Sequence, residues 1–392
     1  MSKEKPRVLV LTPRFPYPPL SGGKLVLLNV AKALKSCELT LLSLCTSPEE
    51  MEIEPGDGLF SAVHKVYLPK WRAIRSVLFA LPTRKPLQLA YYESSEFRAR
   101  VEELLPQNDL VISHLIRTGQ YVEMSRLPSI LVMSDAISLE YKRMTSHQTK
   151  SVLWHWLYRM EENRLFDYEK NVTSHFNQVW LHSDVDRRFL EMEMERVRII
   201  PIGVDLQEFP FQSNPSGDVV AFIGNMSFSL NQDACHYFIE HIFPRLRAEG
   251  NIRFRVIGAC PAPVRRKLER HDGVEVTGRV DRIAEAIDHV FCGVCPLRGG
   301  AGMQTKVLNY LALGIPCVTS EVGLGGIGAV PGSDLLVYGD ANEAARFILD
   351  LHSRSALRQT LGLNGRRFVE RTHDWAIIYR QIEDNVRSLV SP

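Results

Sequence analysis

Residues 289–320 read HVFCGVCPLRGGAGMQTKVLNYLALGIPCVTS. Val290–Leu297 is short, apolar and rich in Val, Phe and Cys, as a strand buried on both faces is. Arg298-Gly299-Gly300-Ala301-Gly302 breaks that pattern. From Met303 the apolar residues fall at Met303, Val307, Leu308, Leu311 and Ala312, which is helical spacing. Gly314 can end that helix in a left-handed turn, Pro316 keeps it from resuming, and Cys317-Val318-Thr319 begins another strand. The stretch is therefore a β–loop–α–β unit, the element from which parallel sheets are built. A glycine-rich loop opening a helix gathers free N–H groups and the positive end of the helix dipole, so an anion can sit there. Lys306 in the first turn opposes the dipole, at ~0.3–1 kcal/mol when exposed, and a bound phosphate reverses that sign. The competing reading is a tight turn beside a solvated lysine.

Working outward, the same pattern recurs. Val219–Ile223 is a strand, Gly224-Asn225-Met226-Ser227 a loop and Asn231–Arg247 a helix; strands Phe254–Ile257 and Val274–Thr277 follow. At the start of the chain Arg7–Thr12 is a strand, Gly22-Gly23 closes a loop, Lys24–Leu34 is a helix and Glu38–Leu44 a second strand. This opening unit lacks G-x-G-x-x-G, so the usual dinucleotide fingerprint is missing there. Gly22 and Gly23 serve either a tight turn or close approach of backbone to a ligand. Strand-like runs Leu110–Ser113, Ile130–Met133 and Val179–Leu181 end at His114, at Ser134-Asp135 and at His182-Ser183. In open α/β sheets that edge is where ligands bind. Asp135 competes as a helix N-cap, and Ser183 reads as one. Residues 206–217, rich in Pro, Gly, Ser and Asn, read as a linker. The expected division is 1–205, the linker 206–217, a second domain 218–374 and a terminal helix 375–392 that packs back on the first domain. The fold class is α/β, with two Rossmann-like domains facing across a cleft.

With 392 residues the chain exceeds one common-sized core. A hydrophobic content of 45% and a net charge of +2 fit a globular protein and argue against nucleic-acid binding. No apolar run approaches roughly 18 residues, so a membrane span is not expected. The N-terminal apolar run is too short for a secretory signal, and a cytoplasmic location is the expectation. Seven cysteines, most in apolar runs, agree with a reducing compartment. Cys292-Gly293-Val294-Cys295 lies within a strand, without the second pair that zinc needs.

Between Asp57 and Glu93 there is no acidic residue. Lys65, Lys70, Arg72, Arg75, Arg84 and Lys85 alternate there with apolar and aromatic residues. Such a stretch suits an anionic membrane surface, and a peripheral contact through residues 64–86 is expected. The alternative is a core-packed helix with a solvated basic face.

The runs GDVVAFIGNMSFSLNQDACHYFIEHIFPRLR, FRVIGACP, GVEVTGRV and VCPLRGGAGMQTKVLNYLALGIPCVTSEVGLGGI, with RIIPIGVDLQEF before them, resemble the C-terminal half of the GT-B fold retaining glycosyltransferases. The family is the glycosyl transferases group 1, and the resemblance is strongest to its bacterial exopolysaccharide branch. It implies transfer of a sugar from a UDP- or GDP-sugar to a saccharide or lipid-linked saccharide, with retention and without a metal. Arg298 and Lys306 would then stabilise the diphosphate leaving group, within a donor loop of Gly224, Asn225, Gly299, Gly300, Ala301, Gly302 and Asn309. His114 falls where the family often places a histidine near the reacting sugar, and Asp135 is the carboxylate candidate for the acceptor hydroxyl. Asp184-Val185-Asp186 has the shape of a metal motif but reads as capping and surface charge.

The sequence departs from the family pattern in places. Ala301 and Asn309 stand where two glutamates are usual, and Asn225 and Asn231 where an arginine and a lysine are. A non-catalytic sugar-nucleotide-binding subunit, or a GT-B epimerase, are the alternatives those changes leave open.

Overall fold

The computed structural model describes residues 5–19, 22–123, 125–147, 152–300 and 302–390. Contacts divide the chain into two compact units, 1–200 with 378–392, and 201–377. The expected crossings were 205/206 and 374/375.

The first unit holds a seven-stranded parallel sheet in the order β3-β2-β1-β4-β5-β6-β7. Its strands are β1 (Arg7–Thr12), β2 (Glu38–Cys45), β3 (Ala62–Tyr67), β4 (Leu110–His114), β5 (Ser129–Ser134), β6 (Gln178–Leu181) and β7 (Val197–Ile199). β4, β5 and β6 are buried along their whole length, as the near-continuous apolar runs of a doubly covered sheet require. The second unit holds a six-stranded parallel sheet, β10-β9-β8-β11-β12-β13. Its strands are β8 (Val219–Ile223), β9 (Arg253–Ile257), β10 (Val274–Gly278), β11 (Val290–Cys295), β12 (Cys317–Ser320) and β13 (Leu336–Tyr338).

In both sheets the chain winds outward one way from its first strand and then returns to that strand's other side. This places a topological switch point between β1 and β4, and another between β8 and β11.

The opening stretch folds as expected. β11 leads into a loop, the helix Thr305–Leu313 follows, and Gly314 ends it at φ +75°. Tyr310 fixes this helix to the sheet: its hydroxyl donates to the Ala221 carbonyl (2.9 Å) and accepts from the Ile223 N–H (2.7 Å). Its ring lies against Gly293, where a Cβ would meet it at 2.4 Å. A side chain at 293 would therefore push the helix off the sheet.

The structure corrects three expectations. Residues 206–217 are not a free linker: Phe209 is buried in the second unit's core, the Gln212 N–H donates to the Leu313 carbonyl (2.8 Å), and Arg358 Nε donates to the Pro215 carbonyl (3.1 Å). The basic stretch is not one amphipathic element, because its first part is strand β3 and only Lys70–Ala80 is helical. Within that strand Lys65 is drawn inward, its amine donating to the carbonyls of Met51 (3.1 Å) and Ile53 (2.5 Å). Gly22 and Gly23 are the first residues of the helix Gly22–Ala33, not part of the loop before it.

Candidate functional site

The second unit's switch point is built from two loops. The β8 loop turns at Gly224 and Asn225, and the Asn225 side-chain oxygen accepts from the Ser227 N–H (2.9 Å), an Asx turn. It leads into the helix Ser229–Tyr237. Gly258, at the end of β9, presses on this loop: it has φ +136°, and a Cβ there would lie 2.4 Å from the Gly224 carbonyl oxygen. The β11 loop holds Arg298, Gly299, Gly300 and Gly302. Gly300 and Gly302 have φ of +109° and +75°, the backbone region that favours glycine. Ala301 lies outside the described residues.

The helix Thr305–Leu313 carries no side-chain cap and no acidic residue in its first turn. The Val307 N–H donates to the Gln304 carbonyl (2.9 Å), and the dipole with the N–H groups before it faces another anion. Lys306 is not the solvated lysine of the competing reading, since it is only 9% exposed. Its amine donates to Asn231 Oδ1 (3.1 Å) and Gln304 Oε1 (3.3 Å), and sits 5.2 Å from the centre of the Phe222 ring. Asn231 in turn donates through Nδ2 to the Asn225 carbonyl (2.9 Å). The position where the resemblance expects a lysine thus holds an amide, and Lys306 brings a cation to it from the first turn of the facing helix.

Arg298 is engaged differently. It makes a two-point ion pair with Asp233, Nε to Oδ2 at 3.1 Å, and its guanidinium lies 5.0 Å from the Tyr237 ring centre. Asp233 stands 65 residues away in sequence, and no local pattern announces the pairing. Asn309 is half-buried on the Thr305–Leu313 helix.

The first unit's switch point has another chemistry. His114 ends β4 and is buried. The Thr12 hydroxyl donates to the Arg14 carbonyl (3.0 Å), so toward His114 Nδ1 (3.2 Å) it can only accept. Nδ1 therefore carries the proton and Nε2 presents a lone pair, which has no hydrogen-bond partner among the described residues. Burial pushes His114 down to about 3, helped by His182, Arg117 and Arg14, so the ring is neutral. His182, just past β6, repeats the arrangement: Nδ1 donates to the Ile200 carbonyl (2.8 Å), burial lowers its pKa, and Nε2 is buried without a partner. The sequence reading placed His182 at a strand end but gave it no role; its signal was the same position that singled out His114.

Asp135 follows β5. Its competing reading as a helix cap fails, because other carboxylates hold the N–H groups there. Asp186 Oδ1 accepts from Ala136 (3.1 Å), and Glu169 accepts from Ile137 (2.7 Å) and Ser138 (3.2 Å). Asp186 is accordingly buried and is not surface charge, while Asp184 pairs with Arg187 and Arg188. Asp135 Oδ1 is buried and unpartnered. Burial, then the nearby Asp186, Glu140 and Glu169, push its pKa up to about 8. Near neutrality Asp135 is mostly a carboxylic acid, a hydrogen-bond donor. Among the described residues the first unit thus holds buried nitrogens of His114 and His182 and the Asp135 Oδ1 without hydrogen-bond partners; native proteins seldom leave such atoms unmatched except at functional sites. Gly22 and Gly23 are exposed on the first turn of their helix, with open space where a Cβ would stand. Among the described residues no cluster of His, Cys, Asp and Glu has the makings of a metal site, and no helix is long and apolar enough to cross a membrane.

Comparison with known proteins agrees with this geometry. Residues 217–354 match the family described as glycosyl transferases group 1. A Klebsiella pneumoniae protein, the uncharacterized 44.6 kDa protein in the cps region, is 21% identical over 96% of this chain and 98% of its own. Among solved structures, sucrose-phosphate synthase from Thermosynechococcus elongatus superposes with a TM-score of 0.73 at 16% identity, over 98% of this chain and 99% of its own. Anabaena Alr3699/HepE in complex with UDP gives 0.69 at 14% identity, over 97% and 100%. The same protein with UDP-glucose gives 0.65, over 97% and 99%. The chain therefore has the GT-B fold, and residues 217–354 of its second unit match the glycosyl transferases group 1 family.

Proposed function

We propose that the protein transfers a sugar from a nucleoside-diphosphate sugar to a saccharide or lipid-linked saccharide, with retention of configuration, in the cytoplasmic synthesis of a cell-surface polysaccharide. The observation that carries this reading is the meeting of Lys306 and Asn231 at the β8/β11 switch point, beside an uncapped helix N-terminus. A diphosphate there meets backbone N–H groups, a helix dipole and a buried ammonium together. Charge that develops on the leaving diphosphate is stabilised by a cation already in place, in a site of low dielectric. That makes a metal unnecessary for departure. Arg298 joins once it exchanges Asp233 for phosphate, and Asn309 hydrogen-bonds the ribose hydroxyls.

The first unit serves the sugar hydroxyls. His114 accepts a hydroxyl proton at Nε2, and Asp135 orients the acceptor hydroxyl. The complex of Alr3699/HepE with UDP-glucose supports a UDP-sugar as donor, and the cps-region relative supports a polysaccharide product. The test is a thermal-shift screen against UDP- and GDP-sugars, followed by transfer assays with the sugar that binds. A ligand at a hundred times its dissociation constant adds about 2.7 kcal/mol to apparent stability. No shift with any nucleotide sugar would overturn the reading.

The Asp233 pairing of Arg298 and the amides at Asn225 and Asn231 favour a second reading, a subunit that binds the nucleotide sugar without transferring it. Binding with no transfer to any acceptor would decide for that one.

A further inference from the structure

The helix Lys70–Ala80 turns its large side chains outward. Only Ala73 and Ala80 are buried. Trp71, Ile74, Leu78 and Phe79 are 58%, 54%, 60% and 74% exposed. Trp71, Ile74 and Leu78 follow the i, i+3, i+7 spacing of one stripe, and Phe79 widens it. Soluble proteins rarely expose so contiguous an apolar face without a use for it.

Charge indicates what covers it. Lys70, Arg72, Arg75 and Arg84 flank the stripe, and none is ion-paired among the described residues. The guanidinium groups of Arg72 and Arg75 lie 5.2 and 5.6 Å from the Trp71 ring centre, where the apolar and cationic surfaces join. No carboxylate occurs from residue 58 to 92. A protein partner would have to match a single sign of charge around an apolar centre, whereas an anionic bilayer offers both features everywhere on its surface. With 11 residues the helix falls well short of the roughly 20 needed to span a membrane, so it suits the interfacial plane. Its other edge points to the purpose. Val77 lines a cleft of about 330 Å³ together with Arg14, Tyr91, Tyr92 and Tyr141. Arg14 Nε donates to the Tyr92 hydroxyl (2.8 Å), and its charge acts on His114. Aromatic faces with a fixed guanidinium suit a saccharide, so one helix has a membrane-seeking face and an edge on a sugar-binding cleft.

We propose that the Lys70–Ala80 helix lies in the interfacial layer of a bilayer rich in anionic phospholipid, with Trp71, Ile74, Leu78 and Phe79 inserted, and so holds the Tyr91–Tyr141 cleft at the membrane surface. The purpose, reaching a lipid-linked acceptor, rests on the transferase reading; the docking does not. The test is flotation of the full-length protein with vesicles of equimolar phosphatidylglycerol and phosphatidylcholine, and with phosphatidylcholine alone. Binding is expected only to the first, and it weakens as salt rises. Neutralising Arg72→Gln and Arg75→Gln together lowers the affinity roughly thirtyfold, at about 1 kcal/mol per charge. The pair Trp71→Ala and Phe79→Ala lowers it about tenfold or more, with an unchanged melting temperature because these side chains are exposed. Equal binding to both vesicles, no binding to either, or variants that bind like the parent would overturn the proposal. A dimer that the Trp71→Ala/Phe79→Ala pair dissociates would overturn it too, in favour of a second copy. Nucleotide-sugar binding by the parent protein in free solution separates the two readings: donor binding without flotation removes the docking alone, and flotation without donor binding removes the transferase reading.

Discussion

The two switch points share a topology and differ in electrostatics. At β8/β11 the protein presents backbone N–H groups, glycines and cations held by neutral amides or by Asp233. At β1/β4 and along the neighbouring strand ends it presents neutral imidazole nitrogens and a protonated carboxyl in a low-dielectric setting. The first is suited to a multiply charged anion and the second to hydroxyls. One connection order thus positions two chemistries, and the loops decide which.

The contrast can be broken most sharply at Lys306. Lys306→Ala should lower transfer by about 10²–10³-fold, the usual cost of removing a preorganised charge-stabilising group. A rate within a factor of about three of the parent would show that the anion reading of this edge is wrong. Next in size is Gly258→Ala. Its Cβ would meet the Gly224 carbonyl oxygen at 2.4 Å from a backbone at φ +136°. A loss of about 3 kcal/mol in urea unfolding is expected, together with weaker nucleotide binding; a neutral outcome would mean the β8 loop yields freely.

Asp135→Asn probes the other edge. Asp135 keeps its proton up to about pH 8 when folded, against an ordinary carboxylate value when unfolded. From roughly pH 4 to 8 the native state binds the extra proton, so this residue makes stability fall as pH rises, with no further loss above. The asparagine variant removes that penalty: it should be more stable than the parent by on the order of 2 kcal/mol at the upper end of the window, and the gain should vanish near pH 4. Melting curves across the window check the slope, and a pH-independent difference would sink the assignment. The smallest effect is Asp233→Asn. Freeing Arg298 from its ion pair should tighten binding of UDP about threefold by titration calorimetry, since the pair is partly exposed and weakly worth keeping. Weaker binding would mean that Asp233 holds Arg298 where it is needed.

Much of the fold was readable because β-α-β units announce themselves locally. Buried strands are apolar runs, and the ends of helices are marked by residues such as Gly314 that tolerate left-handed backbone. Strand β3 was missed because its residues are mostly half-buried and its basic and apolar side chains alternate into the helix that follows. The 206–217 segment looked like a linker in composition, yet Phe209 and backbone hydrogen bonds tie it to the second unit. At the sites, glycines and Lys306 stood out in the sequence. The partners did not. Asp186 read as capping and surface charge, Asp233 and Glu169 belonged to no motif, and only the tertiary structure shows which N–H or guanidinium each one holds.

The final helix, Trp375–Val390, buries Ile378, Ile382 and Val386. Tyr379 donates to Asn29 Oδ1 (2.6 Å) and Ser36 donates to Glu383 (2.8 Å), so residues 378–392 belong to the unit formed by the first 200. During synthesis residues 201–377 emerge before the helix that completes the first unit. The unit whose strands are made first is thus finished only after its neighbour, and its Asn29 surface stays uncovered until then.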